Sequence, residues 1–137
     1  MVFGASYAAY VIGYTLVQGT HYLLYGAFAT GPAAKEFFAH HSVVAIPLSL
    51  LNPFFEELIV RAYVMTEVIE LTGSSTLAIT LSVAVQFSYH LYYGWVGAIS
   101  MSFLFAVFAL YYLRSRSALP IILAHAIFDV YGLLRLW

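Results

Sequence analysis

The run Glu56-Glu57-Leu58-Ile59-Val60-Arg61 places three charges inside a stretch that is otherwise apolar. In lipid a charged side chain costs on the order of 3 kcal/mol even on lenient insertion scales. Such groups must pair, face a protein interior or take part in chemistry. Any fold open to this chain has to provide for them.

Composition identifies the solvent. Of 137 residues, 64% are hydrophobic and 8% charged, against roughly 25% charged in a soluble domain. One small globule cannot hide that many apolar side chains, so lipid is expected to face much of the surface. The net charge of −1 argues against nucleic acid as a partner and leaves the lipid bilayer. The chain has no cysteine, which excludes disulfides, a thiolate nucleophile and cysteine metal sites.

About five apolar segments approach the ~20 residues that a membrane-spanning helix needs. They cover 3–28, 42–71, 75–93, 95–113 and 118–136, separated by Thr30-Gly31-Pro32, Thr72-Gly73-Ser74-Ser75, Gly94 and Arg114-Ser115-Arg116-Ser117. Residues 3–28 lack the basic start of a cleavable signal and read as a first span. Short links imply antiparallel neighbours, so the expected fold is all-α: a multi-pass membrane helical bundle forming a single domain over 1–137. Segment 29–41, with Lys35, Glu36, His40 and His41, suits an interfacial helix. A kink or break is expected near Asn52-Pro53. Tyr92, Tyr93 and Trp95 mark one interface, and Tyr111 and Tyr112 the other. Arg114 and Arg116 on one side balance Lys35 and Arg135 on the other, so the positive-inside rule assigns no orientation.

Glu57 and Arg61 are four apart, which stacks them on one helix face in the favourable acid-before-base order. Glu56 is rotated about 100° from Glu57 and lacks that contact, which leaves it a general-base candidate. His125 and Asp129 are also four apart and should face the same way. Counted along the helices, Glu56 and His90 lie roughly 22 Å from one membrane face, Asp129 about 18 Å and His125 about 12 Å. Costly polar groups from three segments thus share one layer, which packing alone does not require. A glutamate and a histidine can deprotonate a water, and a second histidine can donate to an oxyanion; the set suits amide hydrolysis. Glu56, His90 and His125 could instead bind a divalent metal such as zinc, although no His-Glu-x-x-His run is present. His21, His40 and His41 read as peripheral.

At these residues the chain resembles the CAAX protease and bacteriocin-processing (Abi) family of membrane proteins, which includes the type II CAAX prenyl endopeptidases. The family's Glu-Glu-x-x-x-Arg motif is met by Glu56, Glu57 and Arg61, with Pro53 ahead and Ala62-Tyr63 after. Its Phe-x-x-x-His motif is met at His90, with Gln86 in the phenylalanine position and Phe87 one residue late. Its His-x-x-x-Asn/Asp motif is met by His125 and Asp129, led by Leu119-Pro120-Ile121-Ile122-Leu123-Ala124. The resemblance covers about 42–132, leaving 3–28 as an extra helix.

The resemblance implies an intramembrane endopeptidase of glutamate type acting on a small peptide or membrane-associated protein. Glu56 would activate water with His90. His125 and Asp129 would stabilise the oxyanion, and Glu57 and Arg61 would support the site. No cofactor is implied. Two departures bear on this reading. An ionised Asp129 would repel an oxyanion, so it acts either as a neutral donor or by orienting His125. Gln86, one turn before His90, and Phe87 are candidate pocket residues. The alternative is a non-enzymatic relative, of bacteriocin-immunity or scaffolding type, whose polar cluster only holds the helices together. A small transporter fits less well, because no internal repeat is visible.

Overall fold

The computed structural model describes residues 1–29 and 45–134. All regular structure among the described residues is helical. Helix α1 runs Val2–Tyr25. A long rod follows, built of α2 (Ala45–Glu57), a π-helical segment (Leu58–Met65) and α3 (Thr66–Thr72). Then come α4 (Ser75–Tyr89), a 3-10 turn (Leu91–Tyr93), α5 (Gly94–Ser115) and α6 (Leu119–Leu134). Most of the expected interfacial segment, including Lys35, Glu36, His40 and His41, lies outside the described residues, as does Arg135.

Local chemistry sets the boundaries of α4. Gly73 ends α3 at φ 68°, and its N–H reaches the Ile69 carbonyl at 2.8 Å. That left-handed cap suits glycine. Ser74 then caps α4, accepting from the Leu77 N–H at 3.2 Å. At the other end α4 stops at Tyr89 rather than 93, because a 3-10 turn intervenes before Gly94 (φ 77°, ψ 167°). His90 is therefore the C-cap residue of α4 and lies off the helix proper.

Of the kink or break expected near Asn52-Pro53, the break is absent. Pro53 is buried inside α2 and the helix passes through it. A proline deletes one backbone hydrogen bond, a loss that neighbouring helices can offset. The irregularity falls later, at Leu58–Met65, where the turn widens to i→i+5 bonding.

Packing radiates from α5. It carries α1 along one side and α4 on another, while α6 lies against α2. The core joins Met65, Ala78, Leu104, Phe105, Phe108, Ala109, Tyr112, Ile121 and Ala124. Tyr112, read from sequence as an interfacial anchor, is buried there with its hydroxyl 3.1 Å from Thr66 Oγ1. Trp95 and Tyr92 do stay exposed, as an interface belt requires. Many large apolar side chains face outward, among them Leu48, Leu51 and Phe55 on α2 and Leu123 and Ile127 on α6. Among the described residues one helical stretch, Leu91–Ser115, is long and apolar enough to cross a membrane; Ser75–Tyr89 and Leu119–Leu133 are apolar but shorter.

Closely crossing helices depend on contact at small residues. Gly13 of α1 meets that need. A Cβ there would lie 2.5 Å from Phe103 Cδ2 on α5. Gly13→Val should therefore overpack this crossing and cost about 1–3 kcal/mol. Thermal unfolding in detergent should show the loss, and adding Phe103→Ala should recover part of it. An unchanged melting temperature in Gly13→Val would remove this crossing from the determinants of stability.

Candidate active site

Glu57 is the hub of the polar cluster. It ends α2, is fully buried and meets three other elements. One turn on, in the π segment, Arg61 places Nε 3.4 Å from Glu57 Oε2. From α4, Gln86 Nε2 donates to Glu57 Oε1 at 3.4 Å. From α6, His125 Nδ1 lies 2.8 Å from the same Oε1. The ring is closed by Arg61 Nη2, which donates to Gln86 Oε1 and, at 3.3 Å, to the Phe105 carbonyl of α5. The Arg61 guanidinium also lies 5.8 Å from the Phe105 ring centroid. Arg61, Glu57 and Gln86 are each completely shielded.

Glu56 points elsewhere. Its Oε1 accepts from Asn52 Nδ2, one turn back on α2, and its Oε2 accepts from the Tyr89 hydroxyl at 2.8 Å. The same Oε2 lies 4.0 Å from His125 Nε2. His125 Nε2 is in turn 3.7 Å from Asp129 Oδ1. The two histidines are nearly enclosed, whereas the Glu56 side chain is 16% and the Asp129 side chain 30% exposed. The cluster therefore opens outward through Glu56 and Asp129.

Each histidine has one ring nitrogen committed. His90 Nδ1 faces the Gln86 carbonyl at 2.8 Å. A carbonyl only accepts, so Nδ1 carries the proton and Nε2 of the neutral ring holds a lone pair. His125 Nδ1 likewise donates to the Glu57 carboxylate, which turns Nε2 toward Glu56 and Asp129. Both rings border Phe105, at centroid distances of 4.8 Å for His90 and 5.7 Å for His125.

The structure thus brings together Glu56, Glu57, Arg61, Gln86, His125 and Asp129, with His90 beside them. Glu56 and His90 share no hydrogen bond among the described residues; Tyr89 stands against both, its ring 4.7 Å from that of His90. Gln86 is part of the buried ring around Glu57. Phe87 packs on Trp95 at 6.0 Å and lines a surface groove with Val83 and Ser102. Sequence reasoning missed Asn52, Tyr89 and Phe105. The four-residue spacing of Asn52 and Glu56 was a usable signal; nothing local marked the other two. No set of three or more His, Asp or Glu side chains among the described residues is arranged to hold a metal. Engagement of both Nδ1 atoms leaves the Nε2 atoms as the ring nitrogens turned to the site, an orientation that metal-ligating histidines also adopt.

A family model described as type II CAAX prenyl endopeptidase Rce1-like matches residues 38–131, well over half of the chain. The chain belongs to that family. No curated protein and no solved structure matches it. The Rce1-like family is one of membrane proteases, and the matched span holds every side chain of the cluster just described. Its Glu-Glu-x-x-x-Arg run here divides its labour: Glu57 and Arg61 enter the buried ring, and Glu56 faces the opening.

Removing Arg61 would take the guanidinium from Glu57 and the donor from Gln86 Oε1 in a shielded interior. Arg61→Leu should cost roughly 3–5 kcal/mol and abolish the folded protein. Gln86→Leu, which removes a neutral partner, should cost about 1–3 kcal/mol. Yield of monodisperse protein in detergent and its thermal unfolding check both. A Gln86→Leu protein less stable than Arg61→Leu would reverse this ranking.

Proposed function

We propose that this Rce1-like protein is a multi-pass endopeptidase of glutamate type. Its substrate would be a small peptide or a membrane-associated protein. The observation that carries the reading is the meeting of Glu56, His125 and Asp129 at 4.0 and 3.7 Å, beside His90 and open at one edge. The outward apolar side chains on α2 and α6 support lipid contact beyond the one long apolar stretch.

In the proposed reaction a water between Glu56 and His90 gives its proton to Glu56 while His90 Nε2 accepts its second hydrogen bond. The water oxygen attacks the scissile carbonyl carbon. The resulting oxyanion accepts from His125 Nε2–H, which is available when the ring is doubly protonated, with Nδ1–H held by Glu57. Asp129, in its neutral form, offers a further donor. The C–N bond then breaks, and Glu56 returns its proton to the leaving amine.

A scaffolding role is the second reading, favoured by the complete burial of Glu57, Arg61 and Gln86. Glu56 separates the two, because it lies outside that ring. Glu56→Gln should keep its helicity and melting temperature and lose about 100-fold or more in peptide cleavage. Parental cleavage in Glu56→Gln would overturn the catalytic reading. Comparison of prenylated and unmodified peptides reads the contribution of a lipid group.

Asp129 is tested separately. Because Glu57 already holds the His125 ring, Asp129 is not needed to orient it. Asp129→Asn should retain activity within about tenfold, while Asp129→Leu should lose more, as expected for loss of one oxyanion donor. A badly impaired Asp129→Asn would assign Asp129 the role of an anion instead.

A further inference from the structure

Both carboxylate oxygens of Glu56 are held by neutral donors that belong to none of the family motifs. Asn52 Nδ2 donates to Oε1 from one turn back on α2. The Tyr89 hydroxyl donates to Oε2 at 2.8 Å from the end of α4. Oε2 is also the oxygen that faces His125 Nε2. Tyr89 does more than bond: its ring lies 4.7 Å from His90, tilted by 37°. One side chain therefore touches both groups assigned to the attacking water.

We infer that Asn52 and Tyr89 form a two-point clamp that fixes the Glu56 carboxylate, with Tyr89 as the positioning residue that sets Glu56 against His90. The inference rests on the catalytic reading of Glu56. A carboxylate on a flexible stem at the edge of the cluster has rotamers that point away from the site. Two donors from two helices leave one. Neutral donors suit the task, since a further cation beside His125 would weaken the base. Misplacement of a reacting group by about 1 Å can cost 10²-fold in rate, so the clamp should be read in turnover rather than in affinity. The Glu56 side chain is itself 16% exposed, so removal of the Tyr89 hydroxyl leaves its carboxylate within reach of water.

The test compares parent, Tyr89→Phe and Asn52→Ala on one fluorogenic peptide in detergent, with helicity and melting measured beside the kinetics. Tyr89→Phe should fold normally, keep KM within about twofold and lose roughly 10- to 100-fold in kcat. p-Aminophenylalanine at position 89 keeps a donor at the same reach and should restore most of the rate. Asn52→Ala frees the other oxygen and should lower kcat in the same direction, which carries the test should Tyr89→Phe not fold. A parental kcat in either folded variant overturns the clamp. So does a kcat loss in Tyr89→Phe that p-aminophenylalanine leaves unrepaired, because the hydroxyl would then act otherwise than as a donor. Glu56→Gln is assayed in parallel. If it remains active, the catalytic reading itself fails. If it is inactive while Tyr89→Phe turns over normally, only the clamp fails.

Discussion

The carboxylate of Glu57 is the point on which the structure turns. It takes Arg61 from its own rod, Gln86 from α4 and His125 from α6, all shielded from solvent. A buried ion pair is no guarantee of net stability, since well-packed apolar residues often do as well. What the pair does supply is uniqueness. Once Glu57 and Arg61 are enclosed, each arrangement that separates them or strands Gln86 carries a large penalty. Three helices are thereby held in one relative placement, and the outward groups Glu56 and Asp129 inherit that placement.

Much of this was legible in the amino-acid sequence. The apolar segments, the glycine and serine breaks at 72–75 and the four-residue spacings of Glu57 with Arg61 and His125 with Asp129 all follow from helix periodicity and composition. The pairing of His125 did not. Spacing offered Asp129 as its partner, yet Glu57, 68 residues away, makes the closer contact. Contacts across helices depend on rotation and crossing that a linear pattern does not encode. The same limit hid Tyr89 and Phe105. The break offered at Pro53 failed for a different reason, because a proline signals a lost hydrogen bond but not whether the helix tolerates it.

Gln86 shows how a departure from a family pattern can be internally consistent. The resemblance places phenylalanine at this position, and an apolar ring there would leave Arg61 Nη2 with only the Phe105 carbonyl as acceptor. Glutamine presents both an acceptor for Arg61 and a donor for Glu57. Its substitution is thus tied to the polar ring, and phenylalanine cannot simply be restored without changing Arg61's surroundings as well.

The π-helical segment at Leu58–Met65 has a consequence for phase. In a wider turn each residue advances around the axis by less than the 100° of a regular helix. Over eight residues the lag amounts to on the order of one residue's rotation, about 100°. Glu56 and Glu57 before it can therefore address His125 on α6, while Met65 at its end and Thr66 after it address the α5 core and the Tyr112 hydroxyl. A regular helix through the same rod would bring one of these two sets into register only by turning the other away. Leu58–Met65 acts as a phase shifter between the face of the rod that carries the glutamates and its anchoring face, and its length is as much a part of the cluster as the glutamates themselves.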